Sequence, residues 1–300
     1  RERKRDVGDG PHGSTVGERD LSDAGCRGET MDNARTVVLV SGASSGIGRA
    51  TAERLAQNNF HVFAGVRRPP SASFGSAVVP ITLDVTDEDS VREAVQAVLA
   101  QAGRIDVLVN NAGISLIGAI EETTTAQASA VLDTNFLGVL RLTRAVLPAM
   151  REQGQGRIIN VSSIAGISPG PFMGIYSASK HALEALSEVL DQEVRIFGVR
   201  VAVIEPGFVR THIDASARRA EAHVQAYEPQ RERVAGGFGE QVDRAQDPAK
   251  VAEVIEHAIR APGFRRYLVG RDAKLAFRLR TWLPRAIFDK LVRMSFRLDS

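Results

Sequence analysis

From residue 31 onward, short apolar runs rich in β-branched residues alternate with longer stretches of helical period, and this alternation leaves few folds open. Residues 36–40, 61–66, 77–83, 105–109, 157–161, 199–204 and 267–269 read as strands. Residues 49–58, 125–150 and 176–197 read as helices. Thr86 offers a helix N-cap with Asp89 three residues on, and Val91, Ala94, Val95 and Val98 follow at helical spacing. Asp247 offers another cap, with Pro248 at the first helical position and an apolar stripe of Val251, Val254, Ile255, Ala258 and Ile259. Strands of nearly continuous apolar character belong to a parallel sheet covered on both faces. The expected fold is α/β: a single doubly wound parallel sheet with helices on both faces, plus a C-terminal helical extension. Residues 211–246 are polar and without a clear period, and are expected to form a substrate lid rather than a core element.

The first strand runs into Ser41-Gly42-Ala43-Ser44-Ser45-Gly46-Ile47-Gly48, and a helix follows. The bland reading of such a segment is a tight turn that needs small residues. A strand, a glycine turn and a helix N-terminus in succession also make a phosphate cradle. Glycines let the backbone approach a pyrophosphate, and the helix offers unpaired N–H groups and partial positive charge. The context favours a dinucleotide site.

In that context the segment resembles the glycine turn of the short-chain dehydrogenase/reductases, with Ser41 where that family usually has threonine. The similarity continues along the chain. Asp84-Val85 resembles the family's adenine-contacting pair, and Asn110-Asn111-Ala112-Gly113 its N-N-A-G segment. Asn160-Val161-Ser162-Ser163 resembles the strand that carries its serine, and Tyr176-Ser177-Ala178-Ser179-Lys180 its Y-x-x-x-K. Pro206-Gly207, with Thr211 beyond it, resembles the segment flanking the nicotinamide. Each match alone is weak, but their common order over residues 35–211 is specific. The resemblance implies a Rossmann domain over residues 34–270. It implies cofactor contacts at Gly42, Ser44, Ser45, Gly46, Ile47, Gly48, Asp84, Val85, Asn111, Ala112, Gly113, Tyr176, Lys180, Pro206, Gly207 and Thr211.

An acidic residue at the end of the second strand reads the 2′-hydroxyl of NAD, whereas an arginine reads the 2′-phosphate of NADP. Counted along the family pattern, the acidic position falls on Val66, followed by Arg67 and Arg68. That favours NADP over NAD, with Arg67 as the phosphate partner. Against it, Ser44 and Ser45 stand where some NADP enzymes carry a basic residue, and two arginines in a loop are often only solvated charges.

Tyr176 and Lys180, four residues apart, share one face of a predicted helix. A phenol titrates near ~10, and an ammonium beside it favours the phenolate. Tyr176 is thus the candidate acid/base. The resemblance gives Lys180 a second task on the nicotinamide ribose. Ser163 lies thirteen residues before Tyr176, the spacing usual in the family it resembles, and a serine there can donate to the substrate oxygen; Ser162 is its rival, and the resemblance places the role on Ser163. The resemblance also places Asn135 in a water-mediated proton relay to the lysine. Each of these residues alone has a structural reading as a neighbour, cap or turn residue. His61, His181 and His212 lack ligand spacing, so no metal site is expected.

The single cysteine, Cys26, rules out an intrachain disulfide and makes the reducing cytoplasm the natural compartment. No apolar run reaches the ~18 residues of a membrane span. Residues 1–33 are poor in large apolar groups and read as a disordered or non-native extension. The formal net charge is +2, yet residues 261–300 alone carry ten Lys/Arg against three Asp/Glu. The acidic remainder argues against a nucleic-acid partner. Residues 271–300 form a basic amphipathic tail, broken by Pro284 into two expected helices. It is expected to pack on the domain or a subunit partner, with peripheral membrane contact as the alternative.

Arg67 and the apolar tail resemble the branch with 17β-hydroxysteroid and retinol dehydrogenases. This implies an NADP-dependent oxidoreductase acting on a hydrophobic secondary alcohol or ketone, in a homodimer or homotetramer. The alternatives are a non-catalytic NADP-binding regulatory protein and a dehydratase or epimerase of the related extended group.

Overall fold

A computed structural model describes residues 35–68, 73–211, 217–243 and 245–298, and over 238–243 the backbone alone. The expected N-terminal extension, with Cys26, lies outside the described residues. The main sheet is built from β1 (Val37–Ser41), β2 (His61–Val66), β3 (Val78–Thr82), β4 (Val107–Asn110), β6 (Gly156–Val161), β7 (Val199–Pro206) and β9 (Arg265–Val269). A short parallel pair, β5 (Leu116–Ile117) and β8 (Arg218–Arg219), stands apart from it. The seven strands are parallel in the order β3-β2-β1-β4-β6-β7-β9. The order reverses between β1 and β4, where Val38 pairs with Val107 and Val40 with Val109. The carboxyl ends of adjacent strands at such a switch point leave a crevice for a ligand.

Alternate strand residues feed two apolar layers. Val38 and Val40 pack with Ala52 and Leu55 of α1 (Gly46–Gln57), and with Val251, Ile255 and Ala258 of a helix over Pro248–Arg260. Val37 and Leu39 point the other way. They meet Val91, Ala94, Val95 and Val98 of α2 (Glu88–Ala102) and Leu142, Val146 and Met150 of a helix over Gly138–Gln153. Complete burial on both faces explains why these strands read as continuous apolar runs rather than as alternation.

Several local expectations need correction. The N-cap of α2 is Asp87, whose carboxylate accepts from the N–H groups of Asp89 and Ser90. Thr86 lies one residue too early to cap a helix that begins at Glu88, and its hydroxyl donates instead to Asp84 Oδ1 at 2.7 Å. The single helix expected over 125–150 is two, α3 (Thr125–Leu132) and α4 (Gly138–Gln153), joined by a π turn at Asp133–Leu137. After α5 (Gly174–Val194), the polar excursion contains a helix of its own, α6 (Glu228–Asp243). Arg231 of α6 forms ion pairs with Glu228 and with buried Glu122, so polar contacts hold down what apolar periodicity does not reveal. Then come α7 (Pro248–Arg260), capped by Asp247 as expected, and the tail helices α8 (Arg271–Trp282) and α9 (Arg285–Ser295) on either side of Pro284.

Candidate active site

A cleft of about 2120 Å³ opens at the carboxyl ends of the strands. Its floor is the glycine turn, which folds as it does because side chains have no room there. Gly42 (φ +65°) and Gly46 (φ +56°) occupy the left-handed region. A Cβ on Gly42 would stand 2.7 Å from Ala112 Cα, and one on Gly48 2.4 Å from Asn111 Nδ2. The close approach of the turn to Asn111–Gly113 is therefore written into the glycines. Ser41 completes the junction: its Oγ accepts from the N–H groups of Asn111 and Ala112 at 3.0 and 3.1 Å. The hydroxyl is what matters at this position, so serine serves where threonine is usual.

Among the described residues no side chain caps helix α1 where it begins at this turn, and its first turn carries no acidic residue. Its first N–H groups are left for an anion, and Ser44, Ser45, Gly46 and Ile47 all line the cleft. The residues present therefore fit a dinucleotide pyrophosphate. Arg67, Arg68, Asp84 and Val85 line the same cleft. Burial raises the Asp84 carboxyl, but the Thr86 N–H, the Thr86 hydroxyl and the charge of Arg67 together hold it below its usual value. Asp84 and Arg67 thus share one neighbourhood. Pro206, Gly207 and Thr211 close the opposite side, and the Thr211 side chain would stand 3.2 Å from a Cβ on Gly46.

Tyr176 and Lys180 project from the first turns of α5, both buried and both on the cleft wall. Lys180 Nζ donates to Val161 O at 2.9 Å and lies 5.9 Å from the Tyr176 ring centre. Burial lowers the lysine pKa to about 8, against the pull of Glu184 one turn further along. Ser163 caps a short 3-10 turn after β6, with its Oγ accepting from Ala165 N, and lines the cleft. Its rival Ser162 is buried, and its Oγ has no hydrogen-bond partner among the described residues. Asn135 sits in the π turn, fully buried. Its amide exchanges hydrogen bonds with the backbone of Ile114 at 2.8 and 2.9 Å and donates to Ser179 Oγ at 3.0 Å. It thereby ties the segment after Gly113 to the helix carrying Tyr176. The point where a Gly113 Cβ would stand is 3.3 Å from Asn135 Oδ1 and 3.8 Å from Lys180 Nζ, so the structure brings these residues together.

Sequence reasoning missed two supports. Phe208 N donates to Asp272 Oδ2 at 2.8 Å, and a Cβ on Gly207 would stand 1.9 Å from that oxygen. Gln246 accepts from Arg210 N and donates through its own N–H to Phe208 O. The pair staples the segment after Pro206 to the base of the tail. The start of α8 is readable in Gly270-Arg271-Asp272, but the partner of Asp272 is not. The tail also supplies Leu279, Phe288, Val292 and Phe296 to the cleft wall. Among the described residues no cluster of three or more His, Cys, Asp or Glu side chains suits a metal ion.

Comparison with known proteins agrees with this geometry. Residues 36–222 match the model of the short chain dehydrogenase family, so the chain belongs to that family of oxidoreductases. It is 44% identical over 175 residues to the 3-ketodihydrosphingosine reductase of Bacteroides thetaiotaomicron, covering 58% of this chain and 64% of that one. It is 37% identical over 281 residues to estradiol 17-beta-dehydrogenase 1 of Rattus norvegicus, covering 83% and 78%. A crystal structure of a short-chain dehydrogenase from Streptomyces avermitilis superposes with a TM-score of 0.75 at 37% identity, covering 88% of this chain and 98% of that one. A Burkholderia phymatum relative in complex with NAD has a TM-score of 0.70 at 27% identity, covering 83% and 93%. One from Burkholderia cenocepacia in complex with NADP has a TM-score of 0.70 at 25%, covering 86% and 98%.

Proposed function

We propose that the chain is an NADP-dependent oxidoreductase that interconverts a secondary alcohol and a ketone on a lipophilic substrate. The observation that carries this reading is that Ser163, Tyr176 and Lys180 face the same cleft as the glycine turn and the apolar side of the tail. When bound, a nicotinamide dinucleotide supplies or takes up the hydride. The chain's own residues handle the proton. Tyr176 donates to the nascent alkoxide, or accepts the alcohol proton in the reverse direction. Ser163 Oγ holds the substrate oxygen. Lys180, anchored on Val161 O, places positive charge beside the phenol.

Leu279, Phe288, Val292 and Phe296 offer an apolar wall to the rest of the substrate. The names of the reductase and dehydrogenase relatives, which act on a sphingoid ketone and on estradiol, support the same class. Arg67 on the cleft and the apolar Val66 before it support NADP.

The test is loss of NADPH absorbance with a panel of lipophilic and small ketones. Tyr176→Phe is expected to lower kcat by about 10²–10⁴ with little change in cofactor affinity. An unchanged rate in that variant, or no oxidation of NADPH with any ketone or aldehyde, overturns the reading. Val66→Asp combined with Arg67→Ala is expected to move the kcat/KM ratio at least about tenfold towards NAD. A ratio that stays put removes Arg67 from the cofactor site.

A further inference from the structure

The tail helices present two faces. Ala273 of α8 and Phe288 of α9 are buried, as is Phe296 just beyond α9. On the outward side, Leu275, Arg278 and Trp282 of α8 recur at helical spacing, as do Ile287, Lys290 and Met294 of α9, and all six are exposed. Trp282 is 82% exposed, Leu275 57%, Met294 56% and Ile287 49%. Single exposed apolar residues are ordinary, but several large ones on two helices that touch each other make a patch that marks an interaction site.

Charge identifies the partner. Residues 271–295 carry seven Lys/Arg against two Asp/Glu. Among the described residues no acidic side chain pairs with Lys274, Arg278, Arg285 or Lys290. A second copy docking by two-fold symmetry would set this basic face against itself, which like-charge repulsion opposes. An anionic lipid surface meets both properties at once. Trp and Leu side chains enter the headgroup boundary, and lysines and arginines stay at the charged plane. The helices have 12 and 11 residues, and no described helix is long and apolar enough to cross a membrane, so the contact lies along the surface. Leu275 belongs both to this face and to the cleft lining, so the cleft opens where the lipid would lie.

We propose that the outward face of α8 and α9 docks on anionic phospholipid surfaces and sets the mouth of the cleft against the bilayer. This does not depend on the reaction assigned above, because its readout is binding alone.

Trp282 is the chain's single tryptophan and reports directly. The full chain is mixed with phosphatidylcholine vesicles containing phosphatidylglycerol, and with pure phosphatidylcholine vesicles, at low and high salt. Co-sedimentation and a shift of the emission to shorter wavelength are expected with the anionic vesicles, weakening as salt rises. Arg278→Gln combined with Lys290→Gln is expected to lower partition by about tenfold or more. Ile287→Ser with Met294→Ser is expected to lower it as well, with secondary structure and unfolding midpoint unchanged in both pairs. Absence of co-sedimentation and of any shift on anionic vesicles at low salt overturns the proposal. So does an emission already shifted in buffer and rising with protein concentration, since a second copy then covers the face.

Discussion

Lys180 carries its ammonium in a place where burial works against it, and the lowered pKa of about 8 measures that conflict. Below that value the cation is present beside Tyr176, and above it the charge is lost. Lys180→Met is expected to lower kcat/KM for alcohol oxidation by about 10² or more. It also removes the charge that favours the phenolate, so the acidic limb of the pH profile moves to higher pH. A profile measured from pH 6 to 10 checks this, and an unmoved limb leaves Lys180 with a purely structural part. At this scale the sequence was highly readable. The glycines, Asn111, Ser163, Tyr176 and Lys180 lie in short segments whose spacing expresses their geometry. Asp272 was not readable, because its partner Phe208 stands 64 residues away and no local pattern joins them.

Between residues and fold, elements were predicted in kind more surely than in their boundaries. The stretch at 125–150 has helical period throughout, and nothing in it announces the π turn. That turn is stabilised by what Asn135 finds outside its own helix, at Ile114 and Ser179. Helix α6 escaped notice for the opposite reason: beside its charged anchors only Val234 is a buried apolar side chain among those described, so it has no stripe to see. A second set of charges ties three elements behind the cleft. Arg266 of β9 donates to Glu205 of β7 at 2.7 Å, to Glu184 of α5 at 2.6 Å and to Glu188 at 3.1 Å. One oxygen each of Glu184 and Glu205 has no partner among the described residues. Burial first, and then the neighbouring charge of Glu184, raise Glu205 to about 7, with Arg266 opposing both and Lys180 beyond Glu184. A carboxyl raised in the folded state holds a proton that the unfolded chain has already released. Its contribution to stability therefore falls as pH rises from about 4.5 to about 7. Glu205→Gln keeps the site neutral at every pH. It is expected to flatten that fall, by on the order of 1–2 kcal/mol between pH 5 and 8 in urea unfolding. An equal slope in variant and parent would show that Glu205 is ionised throughout.

At the scale of the whole molecule, the parallel sheet followed from the alternation of apolar runs and helices, since strands buried on both sides are predominantly apolar. Packing of the tail on the domain was expected from its apolar content, but its exact seat was not. Its pattern showed two amphipathic helices but not that one side would complete the cleft wall with Phe288 and Phe296. Deleting residues 274–300 leaves Asp272 in place beside Gly207 and removes that wall. The expected outcome is a loss of kcat/KM on bulky lipophilic ketones of about tenfold or more. Cofactor affinity, read by fluorescence titration, stays within a few-fold. Equal loss of both would mean that the tail is needed for the domain to fold.

The isolation of Trp282 on the outer tail also governs how unfolding of this protein can be followed. Its indole is already largely in water, so denaturation of the seven-stranded sheet changes its surroundings little. A melt recorded by tryptophan emission would report the tail, while far-ultraviolet circular dichroism would report the sheet and its helices. Disagreement between the two curves would record where the chromophore sits and would not by itself signal a folding intermediate.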